Sequence, residues 1–303
     1  MKKKQGAIAV FIGAASFGIL STFVKLAYEK GFTLAEVTGI QAALGAFILW
    51  VLWLIVKIRK ANKQALLNNT SKTPTWKVIA SGSCTGLVSI LYYKSVELVP
   101  ASMAIVLLMQ YIWIGQLLEL MVFKIKPSIS QIVLIICILG GTILATGLME
   151  DPIDSFSLEG IIYGLLAATA YAIFIILSGR IGNDYPVLHK SALMITGALL
   201  LIILILQPFS LFQAETLLNI QVYGLILAVF GTVIPPLLFA YGMPKTGYSL
   251  GAVLTAVELP IAVCMSYFVL NESVSWLKWL GVLFILACIV WKNMFNKPNT
   301  LAA

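Results

Sequence analysis

Read along the chain, apolar residues gather into ten runs of about 20 residues each, parted by short polar connectors. The runs are 6–26, 34–56, 76–97, 101–123, 129–149, 159–179, 187–206, 221–241, 248–270 and 276–294. Bilayer hydrocarbon is roughly 30 Å thick and an α-helix rises about 1.5 Å per residue, so each run can cross once as a helix. A helix satisfies its own backbone hydrogen bonds, which lipid cannot do for it. The pattern therefore predicts an all-α integral membrane protein of ten transmembrane helices. The connectors are too short to hold a soluble domain.

Composition strengthens that reading. Apolar residues make up 60% of the 303 positions, charged residues 11%, and the mean hydropathy is +1.00. No water-soluble domain of this length has a core large enough to hide so much apolar surface. The net charge of +8 would by itself suit an acidic partner, but the basic residues follow the connectors rather than one patch. With the N-terminus taken as cytoplasmic, sixteen of the 20 Lys and Arg fall on that side, leaving Lys25, Lys30, Lys94 and Lys278 on the other. Glu150, Asp151, Asp154 and Glu159 share one outer connector that has no basic residue. By the positive-inside rule both termini are cytoplasmic, in a plasma or bacterial inner membrane. Lys2, Lys3 and Lys4 ahead of the first run look like the start of a signal peptide. That run is long enough to cross and nine others follow, so it reads as an uncleaved helix.

Ten crossings divide into two fives, and an odd number per unit places two copies in opposite orientations. Sliding Tyr93 onto Tyr241 sets Ala104 on Ala252, Gln110 on Glu258 and Lys124 on Glu272 without a gap. Residues 6–28 slide onto 160–182, with Phe17 on Tyr171. The expected organisation is a single membrane domain over 1–303, with repeat one at about 1–150 and repeat two at about 159–303. The pairs Gly82/Gly86, Gly160/Gly164 and Gly247/Gly251 have the spacing that lets membrane helices approach closely, although glycine is common in such helices anyway.

Two stretches carry a family likeness. Val99-Pro100-Ala101-Ser102-Met103-Ala104 followed by Gln110, and Gly251-Ala252-Val253-Leu254 followed by Glu258-Leu259-Pro260 and Leu270-Asn271-Glu272, share order and spacing across the halves. They resemble the small-residue, mid-helix Glu-Pro and terminal Gly-Glu elements of the drug/metabolite transporter superfamily, specifically its EamA-type ten-helix permeases. The chain departs from that pattern at Gln41, where many relatives have arginine, at Gln110-Tyr111-Ile112, and at Asn271-Glu272 and Phe123-Lys124. The resemblance implies two inverted five-helix repeats around a central cavity that opens alternately to either side. It also implies a secondary transporter, an exporter of small metabolites such as amino acids.

Glu258 is the one acidic residue near the middle of a run, and a carboxylate there belongs inside the bundle or beside cavity water. It is a candidate for proton coupling or for pairing with a solute ammonium; the alternative is a buried acceptor that ties the ninth helix to its neighbours. Pro235, Pro236 and Pro260 have no partners at the aligned first-half positions and mark either a gate or a static kink. Tyr111, Trp113, Tyr171 and Phe17 are the deep aromatic candidates for the solute path. Trp113 is the first choice, because its indole N–H has Gln110 and Gln116 one turn to either side. Core packing is the competing role for each.

Nothing in the chain points to catalysis. The lone histidine, His189, sits at the edge of a run, no phosphate-binding G-x-x-x-x-G-K-[ST] loop occurs, and Ser81-Gly82-Ser83-Cys84 is no nucleophile elbow. Cys84, Cys137, Cys264 and Cys288 lie within runs at spacings that suggest neither a disulfide nor a metal site. No cofactor or metal is expected. The expected partners are a small-molecule solute, membrane lipid and no nucleic acid, with protons and a second copy of the chain as further candidates. A membrane scaffold or sensor subunit is the alternative function, and the inverted duplication speaks against it, since a scaffold has no use for two near-equivalent states.

Overall fold

The computed structural model describes residues 2–61, 72–146 and 157–295. The acidic connector with Glu150, Asp151 and Asp154, the end of the fifth run at Met149, Lys63 and Lys297 lie outside the described residues. In repeat one, helices α1 (Lys2–Phe17) and α2 (Leu20–Glu29) make the first crossing, α3 (Leu34–Ala61) the second and α4 (Thr75–Leu98) the third. Helices α5 (Ala101–Leu108) and α6 (Tyr111–Phe123) make the fourth, and α7 (Ile129–Thr146) the fifth. In repeat two, α8 (Leu158–Arg180) and α9 (Val187–Leu206) are the sixth and seventh. The eighth joins α10 (Ala214–Leu227), a π-helical turn (Ala228–Val233) and the first part of α11 (Ile234–Thr255). The rest of α11 with α12 (Glu258–Val269) forms the ninth, and α13 (Trp276–Phe295) the tenth. The protein is an all-helical, ten-helix membrane protein of two inverted repeats.

Seven helical segments meet the length and hydropathy of a crossing unaided, while Ile129–Ala145 and Trp276–Cys288 are shorter apolar helices. The remaining one, α4, carries Lys77 near its start and Lys94 and Glu97 near its end. Helices outrun the apolar stretches: the first crossing runs over Lys3–Glu29 and the eighth over Ala214–Tyr248, longer than 6–26 and 221–241. The extra turns are polar at their tips, where the membrane–water interface tolerates charge while the backbone bonding continues.

The close crossings join one repeat to the other. α1 lies along α11, α4 packs on both α8 and α9, α3 on α9, and α7 pairs with α13. Small residues make these approaches: a Cβ on Gly82 or Gly86 would run into the α9 backbone at Met194 or Ala198, and one on Gly197 into the Ile79 carbonyl of α4. Without a hydrophobic drive between helices in lipid, such close van der Waals contact is what holds them. Gly247/Gly251 does something different. Gly247 has φ +75° with no atom within 4 Å of a would-be Cβ, and it breaks α11 between the eighth and ninth crossings. That left-handed backbone favours glycine. Outside the bundle, Thr73 donates from its backbone N–H (2.8 Å) and its hydroxyl (2.7 Å) to Asp184. These bonds hold the Asp184 carboxyl below the usual carboxylate range and tie the repeats together at the end that carries the N-terminus.

Candidate functional site

Three crossings are broken, and the breaks meet. The first crossing parts between α1 and α2 at Gly18 and Ile19. The fourth parts at Met109 (φ −58°, ψ −14°) and Gln110 (−61°, −16°), and the ninth at Ala256 (−60°, −11°) and Val257 (−61°, −18°). Both later breaks are one tight turn with i→i−3 bonds, Gln110 N–H to Leu107 and Ala256 N–H to Val253. Gly18 faces the Glu258 carbonyl so closely that a Cβ would overlap it, which brings the first break onto the ninth. The Tyr111 hydroxyl lies 2.6 Å from Thr255 Oγ1 and 3.1 Å from the Ala252 carbonyl, which brings the fourth onto the ninth as well.

Glu258 opens α12 and is buried, 1% exposed. Its Oε1 accepts from the Tyr171 hydroxyl of α8 at 2.5 Å. The Tyr171 ring stands edge-on to Tyr111 (4.7 Å) and to Phe17 (5.9 Å). Beside them lies a closed cavity of about 30 Å³, room for about one water. Its walls include the rings of Phe17, Tyr92, Tyr93 and Tyr171, with Ser89 and Glu258. Tyr93 donates to Gln41 Oε1 at 2.6 Å, and Gln41 Nε2 donates to Thr232 Oγ1 at 3.0 Å within the π-helical turn. Ser16 donates to the Phe230 carbonyl at 2.6 Å and Ser191 to the Pro236 carbonyl at 3.2 Å. Proline removes backbone donors, and these side chains supply the partners that lipid cannot.

A wider vestibule flanks the cavity at each end of the bundle. One, of about 380 Å³, is lined by Lys25, Leu98, Val99, Pro100 and Ser273, beside Glu272. The other, of about 370 Å³, is lined by Gly179, Thr246, Gly247, Tyr248 and Ile125, beside Arg180. These are equivalent positions. The register that sets Tyr93 on Tyr241 carries Leu98, Val99, Pro100 and Ile125 onto Thr246, Gly247, Tyr248 and Ser273, and the one that sets Phe17 on Tyr171 carries Lys25 onto Gly179.

The closures differ. At the first vestibule Glu272 accepts from the Ala101 N–H (3.1 Å) and the Ser102 hydroxyl (2.9 Å), capping α5, and also from the Ser266 hydroxyl. At the second, Tyr248 donates to the Tyr111 carbonyl at 2.8 Å, and Arg180 pairs with Glu119 at 3.1 Å over the Phe123 ring.

The sequence signature of the EamA-like transporter family matches residues 4–147 and 158–294, one match per repeat. The chain belongs to the EamA-like transporter family. It is 22% identical over 305 residues to YcbK of Bacillus subtilis (strain 168), described as an uncharacterized transporter, covering 95% of this chain and 94% of that one. A solved crystal structure at 14% identity shares the fold with a TM-score of 0.68, over 98% of this chain and all of the other. As an EamA-like transporter the protein is integral to a membrane, and its partner is a small-molecule solute.

In this EamA-like transporter Phe17, Tyr171 and Glu258 meet at the cavity, and Tyr111 is buried behind them. Gln110 and Trp113 are not among the cavity-lining residues. The Trp113 indole donates to Gln110 Oε1 at 2.9 Å, Gln110 Nε2 donates back to the Val106 carbonyl, and Trp113 is 37% exposed. The expected partner for the indole is present, on the outer face of the helix rather than the inner. Pro260 sits in the first turn of α12, where backbone N–H groups have no partner within the helix. Sequence reasoning did not single out Tyr93, Ser89 or Glu272 for the site. Gln41 carried a usable signal, an amide in the middle of an apolar run.

Proposed function

We propose that the chain is a secondary transporter that moves small metabolites, such as amino acids, outward by alternating access. The central cavity with Glu258, Tyr171, Phe17 and Tyr111 is the solute site, and the two vestibules are its two routes to water. Both termini face the cytoplasm, so the Glu272 vestibule is outer and the Arg180 vestibule inner. Two inward- and outward-facing states follow from one body because each vestibule is the repeat-related image of the other. That equivalence of lining positions is the observation that supports the reading. Pro235 and Pro236, bonded through Ser16, Gln41 and Ser191, act as a fixed bend against which the other half tilts.

The test uses a variant with Cys84, Cys137, Cys264 and Cys288 replaced and a single cysteine at Ser89 on the cavity wall. In oriented vesicles an impermeant thiol reagent is expected to reach that cysteine from either side in turn, with solute gradients shifting the balance. Labelling confined to one side under every gradient would sink alternating access.

A further inference from the structure

We infer that the central cavity is built for an organic amine that carries a positive charge and no free carboxylate. This rests on the reading of that cavity as the solute site and narrows its solutes. Glu258 is the one charged residue in its lining, and no Lys, Arg or His joins it there among the described residues. The nearby basic side chains are engaged elsewhere. Lys25 Nζ donates to the Val96 carbonyl, Arg180 pairs with Glu119, and Lys190 donates to the Ser178 carbonyl and to Asn183 Oδ1.

A carboxylate in a site without water needs an opposite charge, and the protein leaves that charge to the ligand. Tyr171 supplies one hydrogen bond to Oε1. A carboxylate has capacity for several, so an ammonium can be accepted without breaking it. Four aromatic rings in the wall, Phe17, Tyr92, Tyr93 and Tyr171, suit the apolar body of an amine and attract its charge. A zwitterionic amino acid would bring a second carboxylate beside Glu258 with nothing to neutralise it. Like charges at close range are the repulsive element that excludes it.

Phenethylamine and L-phenylalanine share a ring and a ring-to-nitrogen spacing and differ by one carboxylate, so they isolate the point. Equilibrium binding of each is measured on the purified full-length protein, with phenylalaninamide as the masked-carboxylate control. Phenethylamine and the amide are expected to bind at least about tenfold more tightly than phenylalanine, and Glu258→Gln is expected to abolish that preference. The ligand comparison on the parent protein needs no variant, so it stands if Glu258→Gln folds poorly. Equal or tighter binding of phenylalanine, no saturable binding of phenethylamine, or an undiminished preference in folded Glu258→Gln protein would each overturn the inference. Counterflow of labelled phenethylamine in vesicles separates the two readings. Selective binding without flux would count against transport and leave the amine site standing.

Discussion

The fourth and ninth crossings contain the same backbone device with different contents. Both run a short way from one end, break in a single tight turn of nearly identical dihedral angles, and resume. At the fourth, the polar residue of the break, Gln110, bonds to its own helix and to Trp113 on the outward side. At the ninth, Glu258 turns inward, is buried, and bonds across the bundle to Tyr171. Duplication preserved the fold of the main chain, and later substitution decided which copy faces the solute. The break itself does not need a proline, since the fourth crossing breaks without one.

The first way to test the comparison is at the point where the two broken crossings are fastened together. Glu272, at the end of the ninth, caps the start of the fourth. Glu272→Ala removes a cap and strands the Ser102 and Ser266 hydroxyls, and is expected to cost about 2 kcal/mol, read as a fall in melting temperature in detergent. An unchanged melting temperature would mean that the two crossings are held by packing alone.

A smaller effect is expected where the copies diverge. Gln110→Leu removes bonds that stay within one helix and its surface, so stability is expected to fall by about 1 kcal/mol or less and transport in vesicles to stay near the parent rate. A large loss of transport with normal folding would restore Gln110 to the solute path and dissolve the contrast with Glu258. The smallest effect belongs to Pro260→Ala. In the first helical turn the missing N–H costs nothing, so the change is expected to stay within about 0.5 kcal/mol with the break intact. A loss of several kcal/mol would show that the proline, rather than the turn before it, makes the ninth crossing bend.

Much of this molecule could be read from the order of its residues. The ten crossings follow from runs of apolar side chains because lipid rewards them wherever they lie in the tertiary fold, and the doubling follows from the Tyr93/Tyr241 and Phe17/Tyr171 registers. Glu258 was legible for the same reason, since a carboxylate in mid-membrane has few places to go. Other facts belonged to the tertiary structure. Trp113 and Tyr171 are both aromatic residues deep in apolar runs, yet one faces outward and the other touches Glu258. An apolar run carries no stripe that distinguishes lipid from protein, because both neighbours are apolar, so the direction of each side chain is set only when the helices pack. The same holds for the breaks. Met109-Gln110 and Ala256-Val257 share no sequence signal for a tight turn, and the crossing of neighbouring helices at those points decides that the chain turns there.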